Sequence, residues 1–279
     1  APDGSLVAGQ NLACMGSDAP TSLQSLRRAV ARRRDAGAKV LVSLGGGAIP
    51  DCSGDWATLL RPESRPNVVR NLVALVDAEN LDGVDVDIEG ALLTGIHREG
   101  NFLPFVAELG AAMRERGKLL TAATGSYEGG MVPPASLPWF DLVGIMAYDM
   151  IGPTWGTPGD EHSPYSQAEK DVALWQSLGL PREKLVLGVP FYGRGFGSYA
   201  GRGYSFREIV EQFGEDGADE DVVGERCAGC SYITYNGTET LARKARLARR
   251  EGAGIMVWEV SEDTADSLLI RTLLDAMEQ

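Results

Sequence analysis

Three carboxyl side chains, Asp85, Asp87 and Glu89, stand at alternate positions in the segment DGVDVDIE, which spans residues 82–89. Side chains alternate between the two faces of a β-strand, so the three carboxyls share one face and the apolar residues between them share the other. Like charges in a partly desolvated site cannot all ionise cheaply. A proton is therefore shared, and the apparent pKa of the outermost group rises. This makes Glu89 a candidate proton donor near neutral pH.

The same carboxyls have two other interpretations. A solvated strand face fits poorly, because the apolar residues of the segment predict a strand that is packed on both faces. A Mg²⁺ or Ca²⁺ site stays open as an alternative, since hard cations favour clustered carboxylates. Proton transfer is the preferred interpretation, and with it we expect no metal ion and no cofactor.

Short apolar runs and amphipathic stretches alternate along the chain and must position these carboxyls. The predicted strands span residues 39–46, 83–89, 118–125, 140–148, 184–192 and 254–260. The predicted helices span residues 21–35, 66–79, 103–116, 167–178, 205–212, 238–250 and 263–277. The stretch 193–234 is predicted to be an elaborated loop with one short helix. Such alternation is typical of a parallel α/β protein, and no linker interrupts it, so residues 1–279 are predicted to form one domain.

Parallel strands followed by helices either close into a barrel or form an open, doubly wound sheet. A nucleotide-binding open sheet would carry a glycine-rich turn that leads directly into a helix. The glycines at 45–47 are followed by AIPD, and neither GxGxxG nor a Walker pattern occurs. Charged and aromatic residues instead collect at the carboxyl ends of several strands, where barrels place their chemistry. The sequence therefore predicts an α/β fold of the (β/α)8 TIM-barrel type.

Charge and hydropathy exclude several classes of partner. The chain carries 39 acidic and 26 basic residues, a formal net charge of −13. A binder of polyanions concentrates positive charge, so nucleic acids and anionic membrane surfaces are unsuitable partners. No run approaches the roughly 18 apolar residues that a membrane helix requires, so no membrane span is expected.

The segment 82–89 resembles the DxxDxDxE signature of glycoside hydrolase family 18, the chitinase family. Four further segments resemble motifs of that family in the same order: SLGG at 43–46, MAYD at 146–149, GVPFYGR at 188–194 and IMVWE at 255–259. The resemblance is closest to bacterial single-domain chitinases and runs from about residue 39 to the end. It implies a (β/α)8 barrel that hydrolyses glycans containing N-acetylglucosamine, such as chitin or chitooligosaccharides, with retention of configuration.

The resemblance also implies a mechanism without an enzyme nucleophile, in which the substrate's own acetamido oxygen attacks the anomeric carbon and forms an oxazolinium intermediate. Glu89 would protonate the glycosidic oxygen and then activate water. Asp87, taking a proton shared with Asp85, would orient the acetamido group, and Tyr148 would hold its oxygen. The implied substrate-binding residues are Trp258, Asp149, Met146, Tyr192, Arg194, Trp155 and Ser43.

Those residues divide by expected role. Trp258 would form the floor under the sugar beside the scissile bond, because a flat indole stacks on a pyranose ring. Trp155 would be an outer platform for the next sugar. Met146 would mainly pack at the barrel wall, and Ser43 would support the carboxyls rather than act as a nucleophile. Asp149, Tyr192 and Arg194 would supply polar contacts to the sugar. His162 is expected only to shape the loop beyond the sixth strand.

The chain departs from the family pattern at two cleft positions. Gly47 and Gly90 stand where many chitinases carry an aromatic residue, which predicts a more open, shallow site with endo action. The segment between the seventh and eighth strands is too short for the family's extra α+β insertion domain, so none is expected. Glycine after the acidic Glu also occurs in the family's endo-β-N-acetylglucosaminidases, so cleavage of N-glycan cores is an alternative. A non-catalytic chitin-binding lectin is less favoured, because Glu89 is present.

The four cysteines are predicted to form two disulfides, Cys14–Cys52 and Cys227–Cys230, which suit an exported enzyme. A four-cysteine zinc site is the weaker alternative, because Cys14 and Cys52 lack ligand-like spacing. We accordingly expect a secreted or periplasmic bacterial enzyme that acts as a monomer. Only six of the eight barrel strands are located, and they match the family's third to eighth. The first two β/α units are therefore expected to be missing in front of Ala1.

Overall fold

The computed structural model describes residues 1–12, 23–214 and 216–278. The chain forms two compact units, Ala1–Val143 and Gly144–Gln279, named unit 1 and unit 2 below. It passes from one to the other within a short strand, Leu142–Ile145. None of the helices in the described ranges has both the length and the apolar character that crossing a membrane would require.

Unit 1 is built on parallel strands. Its strands are β1 (Val7–Ala8), β2 (Asn11–Leu12), β3 (Leu41–Gly46), β4 (Gly83–Ile88) and β5 (Leu119–Thr124), and β6 (Leu142–Ile145) follows them. Strands β3, β4 and β5 pair in parallel, and β1 pairs with β2 as an antiparallel hairpin. The register places Ser43 opposite Asp85 and Asp85 opposite Thr121, so three polar side chains form a row across the strands.

The alternation predicted for β4 is present. Val84, Val86 and Ile88 are fully buried, whereas Asp85 on the other face is only half-buried. The helices that cover unit 1 are α1 (Leu23–Ala36), α2 (Trp56–Leu59), α3 (Arg65–Ala78), α4 (Gly90–Arg98) and α5 (Phe102–Glu115). Apolar residues at helical spacing, such as Leu72 of α3 and Phe105 of α5, are buried and form the core of this unit.

Unit 2 combines a parallel pair with a small antiparallel sheet. The parallel pair is β7 (Leu185–Pro190) with β12 (Gly254–Trp258). The antiparallel strands are β8 (Tyr192–Phe196), β9 (Gly203–Ser205), β10 (Val222–Gly224) and β11 (Tyr232–Thr234), in the order β10-β11-β8-β9. The prediction of a loop over 193–234 is therefore wrong. These strands are only three to five residues long, too short to show a clear alternation among so many glycines and acidic residues.

The helices of unit 2 are α6 (Tyr165–Ser177), α7 (Phe206–Phe213), α8 (Asp216–Asp219), α9 (Thr238–Glu251) and α10 (Leu268–Glu278). Helices α7 to α10 border an apolar cluster. The cluster includes Phe191 after β7, Phe206 and Ile209 of α7, Leu241 of α9 and Leu269 of α10, all nearly inaccessible to solvent. Helix α7 begins with a capping box, in which the Ser205 hydroxyl and the Glu208 carboxylate satisfy each other's backbone N–H groups.

Each of the six predicted strands contains an observed one, and each predicted helix overlaps an observed helix. Residues 21 and 22 of the first predicted helix lie outside the described ranges. Helix α4 was not predicted, because it starts at Gly90, directly after the carboxyl row, and glycine is a poor helix former.

Candidate active site

In unit 1 the carboxyl row begins at Asp85, which accepts two hydrogen bonds from neighbouring strands. Ser43 Oγ on β3 donates to Asp85 Oδ2 at 2.9 Å, and Thr121 Oγ1 on β5 donates to Asp85 Oδ1 at 2.5 Å. The prediction that Ser43 supports the carboxyls agrees with this contact. Two hydroxyl donors on opposite sides fix the Asp85 carboxylate in the row.

Asp87 is the buried member of the row. It is 8% exposed, and its Oδ1 has no hydrogen-bond partner within the described ranges. Burial and, to a smaller extent, the negative charges of Glu89 and Asp85 together raise the pKa of Asp87 to about 7. The shared proton expected of the three carboxyls thus resides on the middle group near neutral pH. A neutral carboxyl at the centre of the row serves proton transfer better than the coordination of a hard cation.

Glu89 follows β4 and occupies the N-cap position of α4. A Cβ added to Gly47 would lie 3.4 Å from Glu89 Oε1, so the residue after the SLGG motif borders the carboxyl. Gly45 in that motif has a φ of +116°, and a Cβ there would lie 2.2 Å from the carbonyl oxygen of Asp87. Only glycine allows β3 to approach the carboxyl row this closely. Gly90, with a φ of +56°, lets the chain turn directly into α4.

Unit 2 contains a second acidic centre, which is held in the ionised state. Arg194 donates to both carboxylate oxygens of Asp149, through Nε at 2.8 Å and Nη2 at 2.5 Å. His162 Nδ1 lies 3.3 Å from Asp149 Oδ1. Burial by itself would raise the pKa of Asp149, but the hydrogen bonds from His162 and Arg194 and the charge of Arg194 outweigh it and hold the pKa far below its usual range. Asp149 is therefore a fixed anion.

His162 has a larger role here than the loop-shaping one expected from the sequence. Its side chain is completely buried, and burial lowers the pKa of the imidazole, so the ring is neutral. Because Asp149 is ionised, the proton on His162 Nδ1 points to it, which leaves Nε2 as the acceptor. That nitrogen is buried and has no hydrogen-bond partner in the described part of the chain.

Two tyrosines accompany Asp149. The rings of Tyr148 and Tyr192 meet edge to face, with centroids 6.2 Å apart, and the Arg194 guanidinium lies 5.1 Å from the centroid of the Tyr192 ring. Burial and then the charge of Asp149 raise the pKa of Tyr192, so its hydroxyl stays a hydrogen-bond donor. A Cβ added to Gly188 would lie 3.0 Å from a ring carbon of Tyr148, so the glycine of the seventh-strand motif makes room for that ring.

The remaining predicted residues lie in unit 2, either at a strand end or in the chain that follows one. Trp155 is 47% exposed, and its indole N–H donates to the carbonyl oxygen of Asp149 at 2.8 Å, which ties it to the acidic centre. Trp258 ends β12 and is 55% exposed, so a broad indole surface is open to solvent. Met146 is half-buried just beyond β6, as expected for a wall residue.

Three residues near these centres escaped the sequence interpretation. Thr121 could have been found by extending the row of Asp85 to the next parallel strand. His162 lies 13 residues beyond Asp149, and nothing local indicates their contact. Glu262 is half-buried, with its pKa raised to about 7 by burial and by the charges of Glu259 and Glu208. It follows Trp258 at the end of β12, where barrels concentrate functional groups.

The predicted disulfide between Cys227 and Cys230 is confirmed, with the two Cα atoms 5.1 Å apart. Bonded sulfurs are not thiolates, so this pair cannot supply the ligands of the alternative zinc site. The second predicted disulfide involves Cys14, which lies outside the described residues.

The order and placement of these motifs agree with a comparison of the whole chain. The profile of the family described as Glycosyl hydrolases family 18 matches residues 3–263. The chain belongs to this family. Its alternating strands and helices accordingly have the (β/α)8 barrel fold of family 18, as predicted from the sequence.

Several family 18 members are similar to this chain in sequence or structure. The GH18 chitinase ChiB of Flavobacterium johnsoniae is 31% identical, with a TM-score of 0.81, and the match covers 99% of this chain and 83% of that one. The class V chitinase of Arabidopsis thaliana is 27% identical over 277 residues, which are 85% of this chain and 73% of the plant protein. An endochitinase of Manduca sexta is 33% identical over 187 residues, 58% of this chain but only 33% of the moth protein.

Proposed function

We propose that this chain hydrolyses β-1,4 linkages next to N-acetylglucosamine, in chitin or chitooligosaccharides, by substrate-assisted catalysis through an oxazolinium intermediate. Family membership makes it a glycosidase of the chitinase type. The observation that carries the proposal is the state of Asp87, a buried carboxyl between two others whose pKa is raised to about 7. A retaining enzyme with its own nucleophile would need that carboxyl ionised, whereas a group that exchanges a proton as charge develops on the acetamido group needs a pKa near neutrality.

Glu89 is the general acid and then the general base of the proposed reaction. As the acetamido oxygen attacks the anomeric carbon, Glu89 gives its proton to the departing glycosidic oxygen. Asp87 passes its proton to Asp85 and accepts the acetamido N–H, so that its charge stabilises the positive intermediate. The hydrogen bonds that hold Asp85, from the hydroxyls of Ser43 and Thr121, support its role as the acceptor of that proton. Glu89 then takes a proton from the water that opens the intermediate.

The groups of unit 2 hold the sugar in the proposed reaction. Tyr148 donates a hydrogen bond to the acetamido oxygen and so fixes it for attack. Asp149 accepts from a sugar hydroxyl or amide, because Arg194 and His162 keep it ionised. Tyr192 and Arg194 supply further polar contacts, Trp258 stacks under the sugar ring, Trp155 is an outer platform, and Met146 is part of the wall.

The test compares wild-type enzyme with Glu89→Gln on chitotetraose. General acid–base catalysis is worth roughly 100- to 10,000-fold, so kcat of the variant should fall by at least about 100-fold. The control is Glu115→Gln, at an exposed position of α5, which should retain wild-type activity. Undiminished turnover by Glu89→Gln would refute the mechanism.

An endo-β-N-acetylglucosaminidase that cleaves the chitobiose core of N-glycans is the second candidate. The observation that favours it is the open space beside Glu89, because a Cβ added to Gly90 would meet nothing within 4 Å. A branched glycan needs such access. Release of glycans from a high-mannose glycoprotein at a higher kcat/KM than cleavage of chitotetraose would favour this candidate. Binding of chitotetraose without turnover of either substrate would favour a lectin.

We further propose that residues 1–279 act as a single catalytic domain without an insertion domain, and that the enzyme is a monomer outside the bacterial cytoplasm. The Cys227–Cys230 disulfide supports an oxidising compartment, because cytosolic thiols are kept reduced. Sedimentation at micromolar concentration should give a single species of 29.8 kDa, and a dimer would contradict the proposal.

A further inference from the structure

Tyr127 is an exposed aromatic residue of unit 1, the unit that carries the carboxyl row. It lies in the loop that follows β5 and is 53% exposed. Among the Phe, Tyr and Trp side chains in the described part of unit 1, it is the most exposed. No motif of the sequence includes it, and neither the acid–base chemistry nor the sugar contacts proposed above use it.

The Tyr127 ring lies flat against two glycines. A Cβ added to Gly130 would lie 2.2 Å from the ring carbon that bears the hydroxyl, and one added to Gly125 would lie 2.6 Å from another ring carbon. Any larger residue at either position would push the ring away. Backbone thus covers part of a ring face, while the residue as a whole remains 53% exposed.

The loop that carries Tyr127 is fixed to the chain beside Glu89. Gly130 N–H donates to the Tyr127 carbonyl and Gly125 N–H to the Gly130 carbonyl, both at 3.0 Å. The Thr94 hydroxyl of α4 lies 3.0 Å from the carbonyl oxygens of both Gly90 and Gly129. It therefore links this loop to the residue that directly follows Glu89. Burial of the phenol, and then the charge of Glu89, raise the pKa of Tyr127, so its hydroxyl stays protonated beside the acid.

We propose that the exposed ring of Tyr127 stacks on the sugar that leaves, on the far side of the bond that Glu89 protonates. This inference rests on the proposed function. An exposed aromatic ring presents the surface on which the C–H face of a pyranose packs. The buried Asp87 serves the sugar that is attacked, and Tyr127 lies beside the outermost carboxyl, which serves the leaving oxygen. Gly47 and Gly90 leave the surroundings of Glu89 without an aromatic residue of their own, and Tyr127 supplies one.

The test uses two substrates, one with a leaving sugar and one without. Chitotetraose must place sugars on both sides of Glu89, whereas chitobiose oxazoline resembles the intermediate and has no leaving sugar. Stacking of this kind is worth roughly two- to tenfold in affinity. Tyr127→Ala should therefore lower kcat/KM for chitotetraose by about fivefold, mainly through KM, and leave hydrolysis of the oxazoline within about twofold of wild type.

Two further variants of this residue separate stacking from folding. Tyr127→Phe keeps the flat ring and should remain within about twofold of wild type on both substrates, while Tyr127→Leu keeps apolar bulk without a flat face and should behave like the alanine variant. Leu103→Ala, an exposed apolar residue on α5, is the matched control and should change neither reaction. Thermal midpoints of all variants show whether the loop stays folded.

The outcomes are distinct. An equal loss on both substrates would mean that Tyr127 positions Glu89 rather than the leaving sugar, and unchanged kcat/KM for chitotetraose would mean that it contacts no sugar. Either result overturns the inference. If wild-type enzyme turns over neither substrate, the proposed function fails first, and the inference fails with it.

Discussion

Asp87 in unit 1 and Asp149 in unit 2 are two largely buried aspartates with opposite charge states. Burial acts on both in the same direction, because it penalises the ionised form. Yet the pKa of Asp87 is raised to about 7, whereas the pKa of Asp149 is held far below its usual range. The neighbours differ: Asp87 lies between two carboxyls, while Asp149 receives hydrogen bonds from Arg194 and His162.

Partners, rather than burial, therefore decide what each aspartate can do. A carboxyl with a pKa near neutrality can hold or release a proton during a reaction, which suits an acid–base step. A carboxylate fixed by a bidentate arginine cannot, and it suits the recognition of hydroxyl or amide donors. Unit 1 thus contains a group that suits proton transfer, and unit 2 contains a rigid anion. The two kinds of group respond differently to substitution and to pH.

The largest expected effect is on stability and follows Asp149→Asn. The substitution leaves the half-buried Arg194 without its partner, and breaking a buried pair costs roughly 3–5 kcal/mol of unfolding free energy. The ionised Asp149 stabilises the fold above the ordinary aspartate pKa, and this contribution is lost only as pH falls through the lowered value. Urea denaturation at pH 7 should show the loss.

The control for Asp149 is a surface pair in the same unit. Asp266 pairs with Arg271 at 2.6 Å, but both side chains are more than half exposed. Asp266→Asn should cost less than about 1 kcal/mol. Similar losses in the two variants would mean that the contact of Asp149 with Arg194 is no stronger than a surface ion pair.

Asp87→Asn is expected to increase stability at neutral pH, whereas Asp149→Asn is expected to lower it. Because the folded-state pKa of Asp87 is raised above the unfolded value of 3.8 to about 7, its contribution to stability is full below pH 3.8 and is lost as pH rises through 7. An asparagine has no proton to lose there. The variant should therefore gain stability relative to wild type between pH 5 and pH 8, by roughly 2–3 kcal/mol, while its activity on chitotetraose falls.

Urea denaturation of wild type and Asp87→Asn at pH 5 and pH 8 measures this gain. At each pH the unfolding free energy of wild type is subtracted from that of the variant, and the two results are then compared. Other groups that titrate near neutrality, such as Glu262, cancel because both proteins contain them. If the stability difference between wild type and Asp87→Asn is the same at both pH values, Asp87 is ionised at both. Asp87 and Asp149 would then have the same charge state, and the contrast between them would disappear.

Arg194→Lys has a smaller expected effect and tests the geometry of the same contact. The guanidinium reaches both oxygens of Asp149, whereas an ammonium is a point charge that cannot reproduce this fork. We expect a loss of about 1–2 kcal/mol in unfolding free energy and a higher KM. Arg202→Lys, in an exposed pair with Glu208, is the control and should be nearly neutral. Equal effects would indicate that charge alone holds Asp149.

The sequence predicted the contrast only in part, and the reason is physical. The period of two along β4 places Asp85, Asp87 and Glu89 on one face, so local geometry is enough to find the row. The contact of Asp149 with His162 and Arg194 spans 13 and 45 residues and depends on how loops fold back on strands. No local spacing encodes that contact. The same limit hid the antiparallel sheet of unit 2, whose short strands pair across long loops.

The sequence also could not predict which of the three carboxyls holds the shared proton. The alternation of side chains shows that the three carboxyls lie on one face, but their order along the strand does not show which one is least accessible to solvent. The sequence suggested the outermost group as the one with the raised pKa, whereas Asp87 has the lowest exposure of the row. Side-chain burial depends on the helices and loops that cover the strand ends, which only the tertiary structure defines.

The smallest expected effects come from the two hydroxyls that hold Asp85. Thr121 is half-buried and donates at 2.5 Å, while Ser43 is exposed and donates at 2.9 Å. A hydrogen bond to a carboxylate is worth more where water cannot replace the donor. Thr121→Val should therefore cost about 1 kcal/mol in unfolding free energy, and Ser43→Ala only a few tenths.

The two substitutions also show which of the two hydrogen bonds to Asp85 matters for the reaction. If Asp85 receives the proton of Asp87 during catalysis, a loosened Asp85 carboxylate should lower kcat without changing KM, and Thr121→Val should do so more than Ser43→Ala. A double variant should lose more than the sum of the single ones, because neither donor then restrains the carboxylate. If the larger loss of kcat follows Ser43→Ala instead, the hydrogen bond from the exposed Ser43 is the one that matters for proton transfer to Asp85. The hydrogen bond from Thr121 on β5 would then contribute only to the stability of the fold.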